Sequence, residues 1–155
     1  MPHTLIIGFG NTLRGDDGAG PTAAEALRLL IREPGIEILS LHQLTPELMV
    51  NISLADHVIF IDASAEGVPG TFTESPVVPA PHEAGFTHHA TPEALLAGAQ
   101  ALYGACPTAT LYLIPGASFE TTDRLSPAVA EAVARLVKQI ADRTKQTVAS
   151  THSGC

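Results

Sequence analysis

Three short polar segments carry most of the side chains capable of chemistry. The first is Gly8-Phe9-Gly10-Asn11-Thr12-Leu13-Arg14-Gly15-Asp16-Asp17-Gly18, which sets two adjacent carboxylates among glycines behind an apolar run. The second is Asp62-Ala63-Ser64, behind another apolar run, and the third is His88-His89, just before Thr91-Pro92. An Asp at a strand-to-helix turn often binds backbone N–H groups. Two side by side allow one to do so while the other faces a crevice. If the strands before them are neighbours, Asp17 and Asp62 share a sheet edge and either converge on one cation or share one proton. An imidazole from His88 or His89 would complete a donor set suited to a borderline divalent metal such as Ni²⁺ or Zn²⁺, with coordination positions left open.

Other chemistries fit less well. A dinucleotide fingerprint needs a third glycine where Leu13 stands, and Asp16 and Asp17 would repel a pyrophosphate. No Gly-Lys-Ser/Thr is present for a phosphate-binding loop. Ser64 and Ser118 lack the G-x-S-x-G setting of a nucleophilic serine, and Cys106 reads as a small buried residue without an adjacent base. The amides of Gly10 to Gly15 offer either an anion-binding nest or, the favoured reading, only the freedom for tight turns and close approach. His42 also follows a strand-like segment, whereas His3, His57, His82 and His152 are scattered.

The elements that hold these segments are legible as alternating strands and helices. Residues 4–9, 36–42, 56–62 and 108–114 read as strands, the first without alternation, as in a parallel sheet buried on both faces. An edge strand is expected at 70–74, within a Pro- and Gly-rich stretch running to Gly85. Residues 20–32 read as a helix with Ala23, Ala24, Leu27, Leu30 and Ile31 on its apolar face. Three more helices are expected behind Thr45-Pro46, Thr91-Pro92 and Ser126-Pro127, each a hydroxyl N-cap followed by proline. The fold expected is a single α/β domain over residues 1–146. It is a three-layer sandwich with a mainly parallel twisted sheet of about five strands and helices on both faces. Residues 147–155 read as a disordered tail.

The chain has 155 residues and a formal net charge of −8, with 8 Lys plus Arg against 16 Asp plus Glu. So few cations argue against nucleic acids and anionic membranes as partners. No apolar run reaches the ~20 residues of a membrane span, and no basic segment precedes Leu5-Ile6-Ile7 as in a signal peptide. Two cysteines, one of them the terminal Cys155, make no disulfide framework and suggest a reducing, cytoplasmic compartment.

The glycine-rich segment, extended through Ala19-Gly20, resembles the N-terminal signature of the [NiFe]-hydrogenase maturation endopeptidases. His42-Gln43-Leu44-Thr45-Pro46-Glu47-Leu48, the strand ending Ile59-Phe60-Ile61-Asp62-Ala63, and His88-His89 with Thr91-Pro92-Glu93-Ala94-Leu95-Leu96 are similar to further segments of that family, in the same order over about residues 4–142. The resemblance implies a cytoplasmic protease that trims the C-terminal extension from the hydrogenase large-subunit precursor after nickel insertion. It implies that Ni²⁺ comes with the substrate; a site of two carboxylates and one imidazole is thin, so no tightly bound resting metal is expected. The family's metal-contacting acid, strand-end Asp and His fall on Asp17, Asp62 and His89, with His88 as the alternative. Asp17 stands where the family often has Glu. The attacking group implied is water, activated either by the metal or by a carboxylate such as Asp16 or Asp62. The same three residues would equally serve a nickel-binding maturation chaperone or sensor without proteolysis.

Overall fold

The computed structural model of the chain describes residues 3–81 and 90–146. Its five strands are β1 (Thr4–Phe9), β2 (Ile36–Leu41), β3 (His57–Ser64), β4 (Thr73–Pro76) and β5 (Thr108–Pro115). They form one sheet in the order β2-β1-β3-β5-β4, parallel except for β4, which runs antiparallel to β5 at the edge. The helices are α1 (Ala19–Leu30), α2 (Leu48–Ser53), α3 (Pro92–Tyr103) and α4 (Pro127–Gln146). The expected three-layer α/β sandwich is the observed one.

The apolar runs of β1, β3 and β5 have a simple cause: side chains alternate between two cores. Ile6, Ile61 and Ile114 pack under α1 and α4 with Leu27, Leu136 and Ile140. Leu5, Ile7, Val58 and Phe60 pack under α2 and α3 with Met49, Ile52, Leu95 and Leu96. Parallel strands joined by right-handed crossovers place α1 and α2 on opposite faces, because the chain reverses direction across the sheet between them. That reversal occurs at β1, which has β2 on one side and β3 on the other. A crevice therefore opens beyond the carboxyl ends of β1 and β3, where ligands bind in open sheets of this type.

Local readings differ in four places. Leu30 is exposed, because Ile31, one residue past the end of α1, fills the buried position instead. Thr91 caps α3, accepting a 3.1 Å hydrogen bond from the Ala94 N–H, but Thr45 caps nothing: its carbonyl closes a turn with Leu48 and α2 starts only there. The edge strand starts at Thr73 because a turn closed by Thr71 N–H to the Val68 carbonyl, with Gly70 at φ 99°, occupies the preceding residues. Cys106, expected as a small buried residue, is only partly buried and is disulfide-bonded. Such bonds persist in oxidising surroundings, so the cysteines no longer argue for a reducing compartment. Among the described residues no helix is long and apolar enough to cross a membrane.

Candidate active site

The turn from β1 into α1 is held so tightly that glycine is needed on both sides of the contact. A Cβ on Gly8 would collide with the Gly20 carbonyl oxygen, and one on Gly20 would lie 2.6 Å from the Phe9 carbonyl oxygen. Helix α1 thereby starts directly against β1 and β3. Between them the chain makes a single 3-10 turn, Gly15–Gly18, that carries both aspartates.

Asp16 points away from the crevice and is fully buried. Its carboxylate accepts hydrogen bonds from the N–H groups of Ala117 (2.7 Å), Ser118 (2.9 Å) and Ser126 (2.7 Å), and from the Ser126 hydroxyl (2.8 Å). Burial pushes its pKa up, but the bonds from Ser126, Ser118 and Ala117 outweigh burial and hold it below the ordinary aspartate value. The same turn is laced to the 118–122 segment through Asp16 N–H to the Ser118 carbonyl and Gly15 N–H to the Thr122 carbonyl, both 2.9 Å. Asp16 is therefore a structural staple. With its oxygens filled by four donors it has no capacity to act as the general base considered from the sequence.

Asp17 is half-buried and uses one oxygen to accept the Asn11 N–H at 2.7 Å. Asp62, near the end of β3, likewise accepts the Ala63 N–H at 2.8 Å. The second oxygen of each has no hydrogen-bond partner among the described residues, and neither is sealed from solvent. Both residues line one cavity of about 380 Å³, together with Asn11, Arg14, His42 and Ala90. Burial pushes the Asp62 carboxyl up to about 7, with the Ala63 bond pulling down against it and the Asp17 carboxylate pushing further up. A carboxyl group in that range changes protonation near neutrality, as a general acid or base must.

The structure thus brings Asp17 and Asp62 together at the switch point. His88 and His89 lie outside the described residues, although Ala90, the next residue, is in the cavity wall. Among the described residues no group of three or more His, Cys, Asp or Glu side chains is close enough to hold a metal ion. Arg14 lines the cavity without having been singled out from the sequence, and His42, noted there only for following a strand-like segment, lines it too. The signal for His42 was its place directly after β2, at the same sheet edge. The glycine segment offers no anion nest: the N–H groups of Gly10, Asn11, Leu13, Arg14 and Gly15 are all donated within the protein.

No protein-family model matches the chain, and no curated protein does. Solved structures do. A [NiFe] hydrogenase maturation protease, HycI, from Thermococcus kodakarensis KOD1 is 27% identical, with 92% of each chain covered and a TM-score of 0.77. The hydrogenase maturating endopeptidase HybD from E. coli is 25% identical, with 94% of each chain covered and a TM-score of 0.75. An endopeptidase from Escherichia coli is 27% identical, covering 92% of this chain and 93% of its own, with a TM-score of 0.71. Over nearly its whole length the chain is similar in structure to [NiFe]-hydrogenase maturation proteases.

Proposed function

We propose that this chain is an endopeptidase that removes the C-terminal extension of a [NiFe]-hydrogenase large-subunit precursor once nickel has been inserted. The observation that carries the reading is the meeting of Asp17 and Asp62 in one cavity, in a fold shared with hydrogenase maturation proteases. In this reading Ni²⁺ is cargo of the precursor. Asp17, Asp62 and His89 recognise it by adding two carboxylates and an imidazole, a donor set that suits such an ion, to the ligands the precursor supplies. His89 is one peptide bond from Ala90, which lines the cavity.

Water is the attacking group. Among the described residues lining the cavity there is no serine, threonine, cysteine or lysine to form a covalent intermediate. Asp62 takes a proton from water as the water oxygen adds to the scissile carbonyl, and returns it to the departing amine as the C–N bond breaks. The Asp62 oxygen that accepts the Ala63 N–H keeps a second lone pair for the nickel, which leaves the other oxygen for the proton.

The test incubates the protein with nickel-loaded and nickel-free precursor and reads both masses, with wild type and Asp17→Asn in parallel. Loss of a C-terminal peptide is expected only from the loaded precursor and only with wild type. Binding of loaded precursor without any cleavage would replace the protease by a nickel-binding maturation factor.

A further inference from the structure

Arg14 is the one Lys or Arg among the described residues lining the cavity. It is exposed, and among the described residues its guanidinium makes no ion pair and no hydrogen bond. Its backbone, by contrast, is fixed on every side. Arg14 N–H donates to the Asn11 carbonyl at 3.1 Å, and its own carbonyl accepts the Asp17 N–H at 3.1 Å. The residue also bridges to Thr122, whose N–H reaches the Leu13 carbonyl at 3.1 Å. Leu13, beside it, is 64% exposed, with its N–H taken by the Asn11 side chain at 2.9 Å. A braced turn therefore holds one forked cation in the cavity wall, next in the chain to an exposed apolar side chain, and the acidic groups lining that cavity among the described residues are Asp17 and Asp62.

Such a turn has no structural need for the guanidinium, and the carboxylates behind it would repel an anionic chain. Guanidinium donors match a carboxylate bidentately, and an exposed apolar neighbour adds contact area. We propose that Arg14 is a specificity-determining residue that holds a carboxylate of the precursor's C-terminal extension, with Leu13 against the adjoining apolar part of that segment. This rests on the protease reading of the cavity. The carboxylate is either an acidic side chain of the extension or its terminal carboxylate, and the two sources are separable.

The experiment measures kcat and KM for wild type, Arg14→Ala and Arg14→Lys on three nickel-loaded precursors: native, with the extension's Asp and Glu changed to amides, and with an amidated C-terminus. On the native precursor Arg14→Ala is expected to raise KM about tenfold with kcat nearly unchanged, and Arg14→Lys to recover part of the loss. The penalty should vanish on whichever precursor lacks the responsible carboxylate. An equal penalty on all three precursors, a fall in kcat at constant KM, or no penalty would overturn the proposal. If wild type cleaves no loaded precursor, the protease reading has failed. The same variants are then compared by precursor-binding titration, where weaker binding by Arg14→Ala that depends on the carboxylate supports the role of Arg14 and equal binding overturns it.

Discussion

The carboxylate of Asp16 accepts four hydrogen bonds from residues 117–126, while that of Asp17, the next residue, accepts a bond from Asn11 and lines the cavity. The two should therefore respond oppositely to the same isosteric change. An amide keeps one acceptor oxygen and presents a donor in place of the other, so Asp16→Asn sets a donor against at least one N–H or hydroxyl in a buried site. Its expected cost is about 3 kcal/mol of stability. Asp17→Asn keeps its bond to Asn11 through the amide oxygen, so it should cost less than about 1 kcal/mol and abolish cleavage. Urea unfolding beside the precursor assay checks both, and equal destabilisation by the two changes would contradict the assignment.

Stability should carry two opposite pH signatures. Asp62 binds its proton more tightly folded, at about 7, than at the ordinary 3.8. Its contribution is full below 3.8 and is lost as pH rises through about 7. Asp16 is shifted down, so its contribution is present above 3.8 and is lost as pH falls through its lower folded value. Melting temperatures from acid to pH 9 for wild type, Asp62→Asn and Asp16→Asn resolve the two. Asp62→Asn should remove the decline between about 4 and 7 and melt higher than wild type at pH 8.

Gly20→Ala should loosen the site from behind. The added methyl meets carbonyl oxygens of Phe9 and Ile61, backbone atoms that cannot step aside as a side chain end can. Moving α1 outward would cost about 3 kcal/mol and displace the turn bearing Asp17. The expected result is lower stability together with reduced cleavage, and an unchanged melting temperature would show that α1 sits further from the sheet than described.

The sheet and the acidic half of the site were legible because each depends on local pattern. Apolar runs at 4–9, 56–62 and 108–114 mark strands with both faces buried, and polar residues after such runs fall at the ligand edge of a parallel sheet. Thr91-Pro92 announced α3 correctly. Thr45-Pro46 has the same form, but the choice there between a cap and a turn lies in tertiary packing. The roles of the paired aspartates were distinguishable only in three dimensions, since the donors to Asp16 lie 101 to 110 residues further along the chain. Arg14 was hidden for a related reason: membership of a cavity wall depends on which loops meet, and no spacing within one segment encodes that.

The span between Asp16 and Ser126 has a consequence for biosynthesis. The turn bearing Asp17 leaves the ribosome early, but the hydrogen bonds that fix it come from residues translated a hundred positions later. At ~5–20 residues per second, several seconds of elongation separate the aspartates from their braces. Until the segment leading into α4 has emerged, Asp16 is a solvated carboxylate on an unlatched loop. The turn bearing Asp17 is therefore fixed, and the cavity shaped, only after the segment leading into α4 has been made.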